Sequence, residues 1–93
     1  MIRKFHEAKT LNRDYVDIWG TGQPKREFLF VDDLAEACVF SLEEINATKL
    51  YDEIKLTHLN VGCGSDISIS DLAILISKIV GFNGSIRYDS TKP

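Results

Sequence analysis

The feature that most limits what this chain can fold into is the run Trp19-Gly20-Thr21-Gly22-Gln23-Pro24-Lys25-Arg26. Gly20 and Gly22 tolerate positive φ, while Pro24 fixes its own φ and withdraws a donor, so the backbone must reverse or kink before Lys25. The segments on either side are therefore separate elements. Ahead of the loop, Tyr15-Val16-Asp17-Ile18-Trp19 alternates as a strand should, with Tyr15, Asp17 and Trp19 on one face and Val16 and Ile18 on the other. Behind it, Phe28, Phe30 and Asp32 alternate with Leu29 and Val31 in an aromatic and β-branched run that predicts a second, buried strand. Asp32 or Asp33 can then accept bonds from the free amides of a following helix, and Asp33 with Glu36 has the spacing of a capping box. Arg26 stands where loop becomes strand, and a planar guanidinium there can hold a phosphate or a carboxylate through two parallel bonds.

Helical periodicity accounts for much of the rest. Ile2 to Leu11 reads as a helix with Ile2, Phe5 and Ala8 on one face, followed by a polar turn at Leu11 to Asp14. From Asp33, the positions Leu34, Ala37, Cys38, Ser41, Leu42 and Ile45 form an amphipathic stripe, which places Leu34, Cys38 and Leu42 inside. The mixture from Ile45 to Lys55 has no sustained period and reads as a helix end and a surface loop. Thr57 to Val61 predicts a short strand ending at Gly62. Ser68 with Asp71 makes a capping box for a helix whose apolar face is Leu72, Leu75, Ile76, Ile79 and Val80 and which closes at Gly81. Asn83-Gly84 then turns the chain into a last strand, Ser85 to Tyr88.

With 93 residues, 44% of them hydrophobic, the chain has the size of one small domain and the means for a modest core. A formal charge of -3 and no basic run argue against a nucleic-acid surface. No apolar run reaches the roughly 18 to 20 residues that cross a bilayer, and no signal-peptide core follows Met1, so a cytoplasmic location and no membrane partner are expected. Cys38 and Cys63 have neither a second pair nor histidines at metal spacing, so both are expected to be free, Cys38 in the core and Cys63 exposed between glycines. By physics alone the two glycines of the loop are a weak phosphate signal, since a phosphate cradle leads directly into a helix and here a strand follows. Without further information Trp19 is a half-buried aromatic and Arg26 a surface ion-pair partner.

The order of a strand, Trp-Gly-x-Gly-x-Pro-x-Arg-Glu-Phe-Leu, Val-Asp-Asp-Leu-Ala and later Asn60-Val61-Gly62-x-Gly64 resembles the C-terminal part of extended short-chain dehydrogenase/reductases acting on nucleotide sugars. Lys4-Phe5-His6-Glu7 ahead of Trp19, and the closing Ser90-Thr91-Lys92-Pro93, point within them to the GDP-L-fucose synthase family. The resemblance runs along essentially the whole chain. It implies an α/β fold, the substrate-binding portion of an NAD(P)-binding Rossmann-like enzyme, with residues 1–93 as one C-terminal fragment. It further implies that Lys4, Trp19 and Arg26 contact a GDP-sugar, although arginine also occurs in the family where Lys4 stands here. An aspartate expected after Lys-Pro would fall beyond Pro93.

No Gly-x-x-Gly-x-x-Gly fingerprint is present. Tyr51 with Lys55 and Tyr88 with Lys92 have the Tyr-x-x-x-Lys spacing, but the resemblance covers only the C-terminal part of the enzyme, downstream of the catalytic pair. The implied NADP site and catalytic tyrosine are accordingly expected upstream, leaving no catalytic, cofactor-binding or metal-binding residue in this stretch. His6 and His58 have no evident orienting partner and read as surface or packing residues. The parent enzyme is implied to be a homodimer that epimerises and reduces a GDP-keto sugar. The alternatives are another nucleotide-sugar epimerase or dehydratase, and a non-enzymatic binding module of the same fold.

Overall fold

The computed structural model describes residues 1–92; Pro93, the end of the Ser-Thr-Lys-Pro run, lies outside them. The elements are α1 (Ile2–Thr10), β1 (Tyr15–Trp19), β2 (Lys25–Glu27), α2 (Val31–Glu44), a π-helical turn (Lys49–Glu53), β3 (Asp66–Ser68), α3 (Ile69–Val80) and β4 (Ser85–Asp89). They form two compact units, one made of Met1–Arg26 with the segment from Asp66 onward, the other of Glu27–Ser65.

In the first unit β1 and β4 pair in parallel, Tyr15 opposite Ser85 through Trp19 opposite Asp89. A parallel pair needs a long crossover, because no tight turn can return the chain to the same end of the sheet. Here the crossover ends in α3. Val16 and Ile18 point into the core while Tyr15, Asp17 and Trp19 are exposed, as the alternation requires. The core gathers Phe5 and Ala8 from α1, Val16 and Ile18 from β1, Ala73 and Ile76 from α3, and Phe82. Phe5 is fully buried, and its ring meets Phe82 edge-on at 5.7 Å between centroids. α3 starts at its expected cap: Ser68 Oγ accepts the Asp71 amide at 3.0 Å. It ends at Gly81, whose φ of 73° lets its amide turn back onto the Ser77 and Lys78 carbonyls.

The glycine loop is tied down by backbone bonds within this unit. Gly20 donates to the Asp89 carbonyl at 2.9 Å, while the Gly22 and Pro24 carbonyls accept the Ser70 and Ile69 amides at 2.8 and 3.0 Å. Gly22 has φ +75°, and a Cβ there would run into the Tyr88 ring and stand 3.1 Å from Ser70 Cβ, so conformation and space both require glycine.

In the second unit the structure departs from the periodicity. The strand expected over Phe28 to Asp32 is not formed: β2 is Lys25–Glu27, and α2 begins at Val31 with Phe30 as its cap. Asp32 and Asp33 are therefore inside the first turn, where they favour the positive end of the helix dipole, and no side chain caps it. Leu34, Cys38 and Leu42 are exposed rather than buried, Leu42 by 86%; no residue of α2 is buried. Thr57 to Val61 is irregular, and the strand that pairs with β2 is β3. The loop expected after Ile45 contains the π-helical turn.

One correction falls in the first unit. On α3 the buried positions are Ala73 and Ile76, with Leu72 and Val80 half-buried, while Leu75 and Ile79 face outward. This helix is apolar nearly all round, so period alone leaves its inward direction open by one position.

Candidate ligand-binding site

Two of the three residues singled out by sequence stand together. Lys4, on the outer side of α1, crosses to β1 and donates from Nζ to the Asp17 carbonyl at 3.0 Å. That bond sets the ammonium 5.2 Å from the centre of the Trp19 ring. Phe5 fixes α1 against the core, so the neighbouring Lys4 is held at the β1 edge. Trp19 is the last residue of β1 and is 60% exposed, so most of its ring remains free to meet a ligand. Its position is set by the strand before it and by the anchored Gly20 to Pro24 loop after it.

Arg26 is placed differently. It lies on β2 and is exposed, and its Nη1 donates to the Lys25 carbonyl at 2.7 Å. No ion pair occupies it among the described residues, and no hydrogen bond or ring contact there joins it to Lys4 or Trp19. Its guanidinium keeps donors to spare.

Beside Lys4, a groove of about 670 Å³ runs between α1 and β1, lined by Glu7, Leu11, Arg13, Tyr15 and Asp17 as well as the lysine. Glu7 is bonded to Arg3, Nε to Oε1 at 2.6 Å, which holds its carboxyl below the ordinary glutamate range and raises the guanidinium in turn. At the far end of the exposed β1 face, the Arg87 guanidinium stacks on Tyr15 at 3.8 Å from the ring centre. Arg87 was not among the residues read from sequence. It reaches this face only because β4 lies beside β1, and nothing local in the sequence announces that register; Tyr15, by contrast, shares the period-two face of Trp19.

A cation held over an aromatic plane, beside a rigid loop, suits an anionic ligand with a flat or apolar portion. The two histidines are exposed: His58 Nδ1 lies 3.4 Å from Thr57 Oγ1, and no side-chain bond is formed by His6 among the described residues. Among those residues no cluster of three or more His, Cys, Asp or Glu side chains could hold a metal.

Residues 1–62 match the family model described as the NAD dependent epimerase/dehydratase family. Over all of its 93 residues the chain is 46% identical to GDP-L-fucose synthase 1 of Arabidopsis thaliana, and 43% identical over 94 aligned positions to the GDP-L-fucose synthase of Escherichia coli. It spans 26% and 29% of those proteins, between a quarter and a third of their length. Among solved structures it is similar to MlghC, a GDP-mannoheptose C4 reductase from Campylobacter jejuni with NADP bound, at a TM-score of 0.87 and 35% identity, over 97% of this chain and 32% of that one. The α/β fold of the extended short-chain dehydrogenase/reductases is common to them.

Proposed function

The chain belongs to the NAD dependent epimerase/dehydratase family, and from that premise we propose that it supplies GDP-sugar contacts to an NADP-dependent epimerase/reductase. The reaction is the conversion of GDP-4-keto-6-deoxy-mannose to GDP-L-fucose. The parent protein epimerises the sugar at carbons three and five and reduces carbon four with NADPH, as a cytoplasmic homodimer. The observation that carries the reading is the Lys4 ammonium 5.2 Å over the Trp19 ring, at the end of the strand that enters the glycine loop. Lys4 acts as a point charge for the diphosphate, Trp19 as an apolar wall, and Arg26 as a planar fork on phosphate or ribose oxygens.

The role of these residues is positional. Holding the diphosphate away from the reacting carbons turns binding energy into orientation of the sugar. NADPH, when bound, supplies the hydride; nothing in the roles of Lys4, Trp19 and Arg26 calls for contact with it.

The test is to measure GDP-sugar and NADPH affinities in the full-length protein. Arg26→Lys removes the fork while keeping the charge and should cost roughly 1.5 to 3 kcal/mol in GDP-sugar binding, the worth of hydrogen bonds to a charged group. Trp19→Ala should weaken the same ligand. NADPH affinity should be unchanged in both, and GDP-sugar binding unchanged in both would return the residues to surface roles.

A further inference from the structure

Glu27, the residue after Arg26, is bound in an unusual way for an exposed carboxylate. Its Oε1 accepts the Gly64 backbone amide at 2.6 Å, a charge-assisted bond. Gly62 approaches so closely that a Cβ there would stand 2.7 Å from Glu27 Cδ and 2.9 Å from Oε2, with Oε1 nearer still. Gly64 holds φ +78°, a conformation that side chains rarely adopt. The Gly62-Cys63-Gly64 turn is therefore wrapped around this carboxylate, and two glycines are required for the wrap.

Successive side chains of a strand leave opposite faces, so Lys25 and Glu27 share one face of β2 and Arg26 takes the other. Both residues of the shared face are tied to the segment that leads into β3: Glu27 to Gly64, and Lys25 Nζ to Asp66 Oδ1 at 3.2 Å. The Lys25 pair is solvent-exposed on both sides and contributes little. The Glu27 clasp is the stronger tie. Arg26 has no acidic partner among the described residues, so its direction is set by its backbone and by the bond to the Lys25 carbonyl.

We propose that Glu27 is a positioning residue for Arg26: its carboxylate, clasped by the Gly62 to Gly64 turn, fixes the pleat of β2 from which the arginine reaches an anionic ligand. The inference rests on the assignment of Arg26 to the GDP-sugar, and the experiment separates the two. GDP affinity is measured in the full-length protein for Arg26→Ala, Glu27→Ala, the double variant, Glu27→Gln and Gly62→Ala, with NADPH affinity alongside.

The expected result is a loss of about tenfold in GDP affinity for Glu27→Ala, with NADPH affinity unchanged. Gly62→Ala, which leaves both side chains intact but opens the clasp, should reproduce that loss, and Glu27→Gln, whose amide oxygen still accepts the Gly64 amide, should recover most of it. In the double variant the Glu27 effect should vanish, because a residue acting through Arg26 has nothing left to position. Additive losses, or equal losses of GDP and NADPH affinity, would make Glu27 merely structural and overturn the proposal. Should Glu27→Ala fail to fold, Gly62→Ala alone and in the Arg26→Ala background gives the same cycle. A protein in which Arg26→Ala binds GDP normally refutes the arginine's assignment and this proposal together, whereas loss on Arg26→Ala without loss on Glu27→Ala or Gly62→Ala refutes only this one.

Discussion

Replacing Phe5 by alanine tests the packing of the core that holds α1 and β1 together. The ring is fully buried and packs edge-on against Phe82, so the substitution removes the apolar transfer term and leaves a cavity within the core cluster. Phe→Ala changes of this kind cost about 3 to 5 kcal/mol, the upper part applying when neighbours cannot collapse into the gap. A native domain of this length is typically stable by roughly 5 to 14 kcal/mol, and against such a total one ring is a large share. The assay is urea unfolding of the 93-residue chain followed by tryptophan fluorescence. Trp19 is the sole tryptophan and belongs to the same unit as Phe5, so the signal reports the unit that is perturbed. Ile79→Ser is the companion: Ile79 is 74% exposed, and its replacement should stay within about 0.5 kcal/mol. A loss below about 1 kcal/mol for Phe5→Ala would refute the buried packing of its ring, and a loss above that for Ile79→Ser would refute the outward face of α3.

Ser68→Ala should destabilise the same chain by about 1 kcal/mol, read as a lower urea midpoint, because the Asp71 amide loses its acceptor. Gly22→Ala should cost at least about 1 to 2 kcal/mol from its positive φ alone, and more because the new methyl must displace the Tyr88 ring; the same denaturation measures it. The Glu7 carboxyl is held below its ordinary range by Arg3, so the ion pair's contribution is present above the unfolded glutamate pKa and is lost as pH falls through the lower folded value. A carbon-detected NMR titration should show that depression, and Arg3→Gln or high salt should return the group toward its ordinary value, since both side chains are exposed.

Legibility followed the strength of local patterning. β1 was readable because Val16 and Ile18 alternate with three residues that tolerate water, and α3's ends because Ser68, Asp71 and Gly81 act on their own neighbours. The second strand misled. Phe28 to Asp32 has the composition of a strand, but strands are made by partners, and the partner β3 pairs with Lys25–Glu27, three charged residues with no strand signature. In α2 the apolar stripe is regular, yet its residues are exposed, so periodicity described the helix and not what covers it. At the site, Lys4 and Trp19 could be named from the resemblance, and the cation over the ring supplies a physical reason for the pair. Arg87 could not be named, since its place on Tyr15 depends on which strand lies beside β1.

The parallel pairing of β1 with β4 joins positions about seventy residues apart, Tyr15 with Ser85. On a ribosome adding about 5 to 20 residues per second, β1 is made roughly 4 to 14 s before the strand that completes its sheet. Until residues 69–82 are made, Val16 and Ile18 have α1 beside them but neither α3 nor Phe82. Closing so long a loop is entropically slow, and the gain arrives only after the closure. Synthesis thus passes through a window in which β1 lacks β4 and the core lacks α3. A chaperone that holds exposed apolar segments should have its largest effect on yield there, and codons that lengthen the delay before residue 85 should widen the opportunity for aggregation.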